Sequence, residues 1–217
     1  MAGKITALAI QKRNRKRVSV YLDGQFAFGL AATDAARLRV GQWLDRADIE
    51  ALQATDERQA AYQRALNFLS YRPRSAQEVR RNLAEKGFPN TAIEATLERL
   101  EQVGQVNDLE FAHYWVDQRQ TFRPRGVAML RHELRQKGVN RACIAAALEA
   151  VDEEALAYQA AQPWANRSSN LSAQDFKRKL SSFLARRGFS YTIVRTTMDR
   201  LQDELKLDLE NQGINQE

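Results

Sequence analysis

Residue types that catalyse reactions or bind metal ions are sparse in this chain. His113 and His132 are the only histidines, and Cys143 is the only cysteine, among 217 residues. The sequence contains no phosphate-binding glycine-rich loop, no nucleophile elbow and no HExxH zinc motif. Acidic residues cluster at 152–154 and over 199–210, but no histidine or cysteine lies beside them. We therefore predict no catalytic residue, no metal site and no cofactor, and we assign Cys143 to packing.

Basic side chains outnumber acidic ones in this chain. Lys and Arg total 33 against 27 Asp and Glu, which gives a formal net charge of +6. Residues 1–55 carry +4 and residues 109–151 carry +3, so the excess is local. Clustered arginine suits phosphate and carboxylate partners, whereas evenly spread charge would serve solubility. The densest run forms a secondary basic patch of Lys12, Arg13, Arg15, Lys16 and Arg17.

The other basic residues follow a repeat of about fifty residues. The pairs Lys86-Gly87, Lys137-Gly138 and Arg187-Gly188 are separated by 51 and then 50 positions. Apolar spacing around each pair predicts two amphipathic helices that flank a left-handed glycine, and a further helix precedes them. Each repeat is therefore predicted to contain three helices. The matching apolar residues are Val79, Leu83, Ile93, Leu97 and Leu100; Leu130, Leu134, Ile144, Leu148 and Val151; and Leu180, Leu184, Val194, Met198 and Leu201.

A small antiparallel β element is predicted ahead of the repeats, as a three-stranded meander over residues 4–29. Asp23-Gly24 between two apolar runs predicts a two-residue hairpin that pairs Tyr21 with Phe26 and Ser19 with Phe28. The basic run 12–17 would then connect the first two strands. Two short helices are expected to follow, one capped by Thr33 and running to about Arg39, the other capped by Asp45 and running to about Ala54.

The predicted fold class is mainly α, with tandem three-helix repeats that form an elongated, curved array after the β element. The first helix of the third repeat is expected to end near Pro163-Trp164, with a loop over 166–170. The predicted domains are the β-meander with short helices at 1–55, repeats at 56–107, 108–152 and 153–206, and a flexible acidic tail at 207–217.

Middle helices in register would align the recurring basic residues as a stripe. Each residue alone could equally be solvated helix surface, but recurrence at matching positions favours a shared role. A stripe of this kind suits a long polyanion or an acidic groove in a protein filament. The candidate binding residues are Arg72, Arg74, Arg80, Arg81, Lys86, Arg123, Arg125, Arg131, Arg135, Lys137, Lys177, Lys179, Arg186 and Arg187.

These motifs, in this order and spacing, resemble those of one known protein family. The segment 65–87, which contains Ser70-x-Arg72-Pro73-Arg74-Ser75-x-x-Glu78-Val79, resembles the signature of RecX, the bacterial regulator of the RecA recombinase. Segments 111–119 and 130–139 resemble the second repeat of that family. Segment 18–28 resembles the N-terminal β extension of its longer members.

This resemblance implies a non-enzymatic, cytoplasmic regulator of recombination, DNA repair and the SOS response. Such a protein would bind RecA and the groove of the RecA–single-strand DNA filament, and would inhibit its ATPase, strand-exchange and coprotease activities. Direct binding of single- or double-stranded DNA is a further expectation, as are a monomeric state and no membrane association. The alternative is a stand-alone basic nucleic-acid-binding module, whereas an enzyme such as a nuclease has little support.

Overall fold

The computed structural model describes residues 2–168 and 171–214, with side chains up to Glu204. The chain divides into two compact units. The first contains the residues up to 72 together with 79–105, and the second contains 73–78 and the residues from 106 onward. We refer to them below as unit 1 and unit 2.

The N-terminal sheet in unit 1 is antiparallel and has the strand order β3-β2-β1-β4. The first three strands form the predicted meander, whereas the two-residue β4, which pairs with the start of β1, is too short to produce a sequence signal. Only residues 12 and 13 form the turn between β1 and β2, so the connection predicted over 12–17 is too long. The strands are β1 (Gly3–Gln11), β2 (Asn14–Leu22), β3 (Gln25–Ala31) and β4 (Trp43–Leu44).

The β2–β3 hairpin turns at Asp23-Gly24, where both residues have positive φ, 48° and 85°. Tyr21 pairs with Phe26, as predicted. The predicted pair of Ser19 with Phe28 is wrong, because an irregularity between Val20 and Tyr21 shifts the register and places Phe28 opposite Val20.

The helices after the sheet differ from their predicted bounds. Helix α1 (Ala32–Ala35) follows β3 directly with Ala31 at its N-cap, so Thr33 does not cap it and it ends before Arg39. Asp45 caps α2 (Arg46–Leu69) through a reciprocal capping box with Asp48. The end predicted near Ala54 is wrong, and the boundary between 55 and 56 lies within α2, because no glycine or proline interrupts residues 46–69.

Three-helix repeats follow, which confirms the predicted fold class of a mainly helical chain with a small N-terminal sheet. The elongated, curved form of the array stays a prediction. Positive-φ glycines, at 82°, 79° and 85°, separate the middle and last helices at Gly87, Gly138 and Gly188. The helices are α3 (Ala76–Glu85), α4 (Asn90–Gln102), α5 (Asp108–Phe122), α6 (Val127–Gln136), α7 (Arg141–Leu148), α8 (Glu153–Arg167), α9 (Ala173–Arg186) and α10 (Tyr191–Ile214).

The apolar positions shared by the repeats form the core. The two leucines or valines that recur on each middle helix are all fully buried, and full burial of such a side chain contributes about 1.5–3 kcal/mol. Val151 and Met198 are the half-buried members of the set. Cys143 is half-buried and packs against the core of the second repeat.

In the third repeat, one helix runs past its predicted end and another runs past the predicted domain boundary. Helix α8 continues through Pro163 to Arg167, since Trp164 packs on Phe176 and Phe183 with ring centroids 5.4 Å and 5.9 Å apart. The loop predicted over 166–170 therefore starts later, and residues 169–170 lie outside the described residues. Helix α10 passes the boundary at 206 and reaches Ile214, since neither glycine nor proline occurs between 191 and 212. Residues 215–217 of the predicted tail also lie outside the described residues.

A half-buried ion pair joins the sheet of unit 1 to α2. Asp56, with 11% of its side chain exposed, accepts from Arg17 Nη2 at 2.7 Å and from the Ala31 backbone N–H at 2.8 Å. Arg17 also donates to the Gly29 carbonyl at 3.1 Å. One member of the predicted secondary basic patch thus has a structural role, because it connects β2, β3 and α2.

Replacement of Asp56 by Ala tests this connection. The substitution leaves the Arg17 guanidinium and a backbone N–H without their acceptor, so we expect the free energy of unfolding to fall by about 2–3 kcal/mol. Urea denaturation followed by circular dichroism measures the change. The matched control is Glu57→Ala on the exposed side of the same helix, for which we expect a change within about 0.5 kcal/mol. Equal losses in the two variants would contradict the role of Asp56.

Candidate functional site

A recurring contact between backbone segments in unit 2 positions several of the predicted basic residues. At the first junction, the Ser75 hydroxyl donates to the Lys137 carbonyl at 2.6 Å and accepts from the Glu78 N–H at 3.1 Å. The Ala76 N–H donates to the Asp108 carboxylate at 2.9 Å. The start of a middle helix therefore lies against the end of the next repeat's middle helix.

The second junction repeats this arrangement. The Gly126 N–H donates to the Arg187 carbonyl at 2.9 Å, and the Val127 N–H donates to the Glu153 carboxylate at 2.9 Å. The Arg187 guanidinium donates to the Pro124 carbonyl at 3.2 Å. Gly126 and Val127 stand 51 positions after Ser75 and Ala76, so the same repeat positions contact the next repeat, although the donor to the carbonyl is the Ser75 hydroxyl at the first junction and the Gly126 backbone N–H at the second.

Glycine is required at both junctions because the chains approach closely. A Cβ atom on Gly126 would lie 2.2 Å from the Gly188 carbonyl oxygen. One on Gly138 would lie 2.4 Å from Gln77 Cβ, and one on Gly188 would lie 2.5 Å from Met129 Cβ. These distances are far inside van der Waals contact, so side chains larger than hydrogen would separate the segments.

The basic side chain at the first junction has partners within the protein. Lys137 Nζ pairs with Glu78 Oε1 at 2.8 Å and lies 4.2 Å from the centre of the Trp115 ring. The Trp115 indole N–H in turn donates to Glu133 at 2.8 Å, and Arg119 Nε contacts the same carboxylate at 2.7 Å. Lys137, one of the predicted binding residues, therefore already contributes its charge to this network.

An arginine cluster of Arg123, Arg125 and Arg187 forms at the second junction. Burial lowers the pKa of the Arg187 guanidinium, and the positive charges of Arg125 and Arg123 lower it further. Arg125 Nε is buried without a hydrogen-bond partner in the described part of the chain, and the ion pair with Glu133 is long, at 3.9 Å. Three cations are thus held together with incomplete neutralisation, an arrangement that favours a bound anion.

The full set of predicted binding residues, with the secondary basic patch, divides into half-buried and exposed side chains. Seven are half-buried and have interactions within the protein: Arg17, Arg72, Arg74, Arg80, Arg125, Lys137 and Arg187. The exposed ones in the repeats are Arg81, Lys86, Arg123, Arg131, Arg135, Lys177, Lys179 and Arg186, and in the secondary patch Lys12, Arg13, Arg15 and Lys16. The predicted stripe along the whole array stays a prediction.

Some exposed candidates share cavities in unit 2. Arg131 and Arg135 line a cavity of about 360 Å³ together with Arg141 of the following helix. Lys179 and Arg186 line another, of about 330 Å³, with Arg178, Ser182 and Trp164. Both surfaces are basic, and the second also offers an aromatic ring.

Sequence reasoning missed two kinds of residue here. Arg141 lies outside the repeated basic positions, and only the fold brings it beside Arg131. Tyr71 and Phe122 are 84% and 72% exposed, and they stand immediately before Arg72 and Arg123. The sequence does show that Tyr71 and Phe122 are 51 positions apart. An aromatic residue at a helix end is usually assigned to the core, however, so their exposure could not be predicted.

The structure adds no sign of metal chemistry in the residues it describes. No group of His, Cys, Asp or Glu side chains within 2–168 and 171–204 could hold a metal ion. His113 and His132 are both exposed. None of the described helices combines the length and apolar composition that crossing a membrane requires.

Models of one protein family match successive stretches of the chain. The Regulatory protein RecX N-terminal domain matches residues 3–45. The first, second and third three-helix domains of RecX match residues 61–100, 107–148 and 152–198.

Whole-chain comparisons give the same family name. The chain is 32% identical to the regulatory protein RecX of Bacillus subtilis over 215 residues, which cover 97% of this chain and 81% of that protein. It is 30% identical to the Bacillus pumilus protein of the same name, with 97% and 82% covered. A crystal structure of a regulatory protein RecX superposes with a TM-score of 0.69 at 29% identity, covering 91% of this chain and 99% of the other. The crystal structure of RecX from Lactobacillus salivarius superposes with a TM-score of 0.61 at 26% identity, covering 68% of this chain and 98% of the other.

The three helix-ending glycines provide a matched test of the junctions. Gly87, Gly138 and Gly188 have nearly equal positive φ, but a Cβ on Gly87 would meet nothing within 4 Å. We expect Gly87→Ala to cost about 1–2 kcal/mol of unfolding free energy from backbone strain alone. Gly138→Ala and Gly188→Ala should each cost a further 1–3 kcal/mol or so, because they also overpack a junction. Urea denaturation measures all three, and equal losses would contradict the proposed steric requirement.

Proposed function

The chain belongs to the RecX family of regulatory proteins, and we propose on that premise that it regulates the RecA recombinase. In this proposal the protein binds RecA and the RecA–single-strand DNA filament, and it lowers the ATPase, strand-exchange and coprotease activities of the filament. In this proposal the protein lowers these activities by binding to the filament and catalyses no reaction itself.

The observation that carries this proposal is the arginine cluster. Arg125 and Arg187 are half-buried and Arg123 is exposed beside them; their like charges repel one another, and an anion placed among them would remove that repulsion. Arginine also forms paired hydrogen bonds with carboxylate or phosphate. Acidic side chains of RecA and phosphates of the filament DNA both supply such groups.

The exposed basic residues on the middle helices extend this surface in the proposal. Arg131 and Arg135 lie on α6, and Lys179 and Arg186 lie on α9. Charges of this kind raise the association rate and contribute modest affinity each, since they stay partly solvated. The remaining predicted residues, including Arg81, Lys86 and Lys177, belong to the same proposal.

Inhibition of the RecA ATPase on single-strand DNA is the direct test. We expect the wild-type chain to inhibit, and the triple variant Arg123→Ala, Arg131→Ala, Arg135→Ala to need a concentration about tenfold higher for half-inhibition. Three exposed contacts at about 0.5 kcal/mol each account for that factor. These three are chosen because they are exposed, whereas Arg125 and Arg187 also hold the fold together.

The matched control removes the same charge elsewhere. Arg46, Arg64 and Arg195 are exposed and lie off the middle helices, so their triple replacement by Ala should leave inhibition unchanged. Absence of inhibition by the wild-type chain would overturn the proposal. Equal loss in both triple variants would assign the effect to net charge and would remove the arginine cluster from the site.

Direct nucleic-acid binding is the second candidate function. It is favoured by four exposed basic residues, Lys12 and Arg13 in the turn between β1 and β2 and Arg15 and Lys16 at the start of β2. A module of this kind would bind DNA without RecA, with an affinity that falls steeply as salt is raised. Inhibition of RecA without any such binding would separate the two functions.

A further inference from the structure

Two adjoining cavities in unit 1 form a groove. The first, of about 510 Å³, lies between α1, α2 and α4. The second, of about 450 Å³, lies between the start of β2, the end of β3 and α2. Thr33 and Gln59 line both cavities, so the two adjoin at α2. We call this feature the unit 1 groove.

The lining of the unit 1 groove is strongly basic. Its two acidic residues are Asp34 and Asp56, and Asp56 is already paired with Arg17. The groove therefore has a formal excess of four positive charges. Its six basic residues are Arg15, Lys16, Arg17, Arg37, Arg58 and Arg99.

Three of these arginines come from three different elements of unit 1. Arg37 follows α1, Arg58 lies on α2 and Arg99 lies on α4. None of them belongs to the recurring middle-helix positions, and the secondary basic patch contributes only to the other end of the groove. The fold thus joins the basic start of β2 to arginines farther along the chain, of which Arg99 is more than eighty residues away.

Two further features of the groove suit a ligand with both phosphates and rings. The Arg99 guanidinium lies 3.9 Å from the centre of the Tyr62 ring, which makes a flat cationic and aromatic surface. Thr96, which also lines the groove, has a buried Oγ1 without a hydrogen-bond partner in the part of the chain that is described. Buried hydroxyls are nearly always partnered, so an unpartnered one beside a cavity is a feature that a bound ligand would explain.

We propose that the unit 1 groove binds a segment of single-stranded nucleic acid. A row of cations along a groove matches the regular negative charge of a phosphodiester backbone. The Arg99–Tyr62 surface provides a stacking position for a base, which is the usual complement to a basic channel in proteins that bind single strands. Each cavity has the volume of a small-ligand site, which can accommodate a flipped-out base or a short stretch of one strand.

The test measures binding of a fluorescein-labelled oligothymidylate of about 16 nucleotides by fluorescence anisotropy, without RecA. For Arg37→Ala with Arg99→Ala we expect affinity to fall by about tenfold at low salt. The slope of log affinity against log salt concentration should fall by about 1.4, because each lost phosphate contact removes about 0.7 in a single strand. Since the assay contains no RecA, its failure would leave the proposed regulation of RecA untouched.

A second variant tests whether the groove is continuous. Arg15→Ala with Arg37→Ala removes one charge from each cavity, and we expect the same loss of affinity and slope. The matched control is Arg46→Ala with Arg64→Ala, which removes two exposed charges of α2 outside the groove and should leave both quantities unchanged. Circular dichroism and the melting temperature show whether each variant is folded.

Three outcomes would overturn the proposal. Equal loss in the groove and control variants would assign binding to net charge, and no loss in either groove variant would place the nucleic acid elsewhere. A duplex of the same length that binds as tightly, or polyglutamate that displaces the oligonucleotide at equal charge concentration, would contradict the assignment to single strands.

Discussion

The carbonyl oxygens of Lys137 and Arg187 are the atoms on which the arrangement of unit 2 depends. Each lies at the end of a middle helix, where carbonyl groups have no partner within the helix. Each accepts a hydrogen bond from the beginning of another middle helix, which has the complementary excess of donors. The negative end of one helix dipole thus meets the positive end of another. The glycine after each of these residues lets the two segments come close enough for the bond to form.

One difference between the two junctions concerns the acidic partner of the basic side chain that follows the middle helix. Glu78 neutralises Lys137 at the first junction. Met129 occupies the equivalent repeat position at the second, 51 residues later, and an apolar side chain cannot neutralise Arg187. The Arg187 guanidinium donates a hydrogen bond to the Pro124 carbonyl, and it lies close to Arg123 and Arg125. The junctions are alike in backbone and different in charge, so the repeat supplies the geometry and the side chain at one position decides where an anion would bind.

The periodic parts of this structure were predictable from the sequence, and the contacts between distant segments were not. Five apolar positions recur in each repeat because each three-helix unit needs the same buried face, so helices and glycine turns could be placed. Position 163 shows where prediction from local sequence fails. Proline there was expected to end α8, but packing of Trp164 on the next helix accompanies a helix that continues to Arg167. The junctions left no local signal, because their partners are 60 or more residues apart in sequence, and of the unit 1 groove only the basic run at 15–17 was visible, since the other arginines come from separate parts of the chain.

Burial, more than net charge, separates the roles of the basic residues. Arg17 and Lys137 are paired and half-buried, so their charges stabilise the fold and are largely unavailable to a partner. Within the arginine cluster, Arg187 is held by its hydrogen bond to the Pro124 carbonyl and Arg125 is half-buried, which would favour anionic groups with matching spacing and make their contacts less sensitive to salt than those of the exposed Arg123. The unit 1 groove has more solvated cations, including Arg15 and Arg37, whose attraction to a polyanion depends on counterion release and weakens as salt rises. In the two proposals the surfaces therefore differ in physical character, since the arginine cluster would select an anion by geometry and the unit 1 groove by the density of charge along a strand.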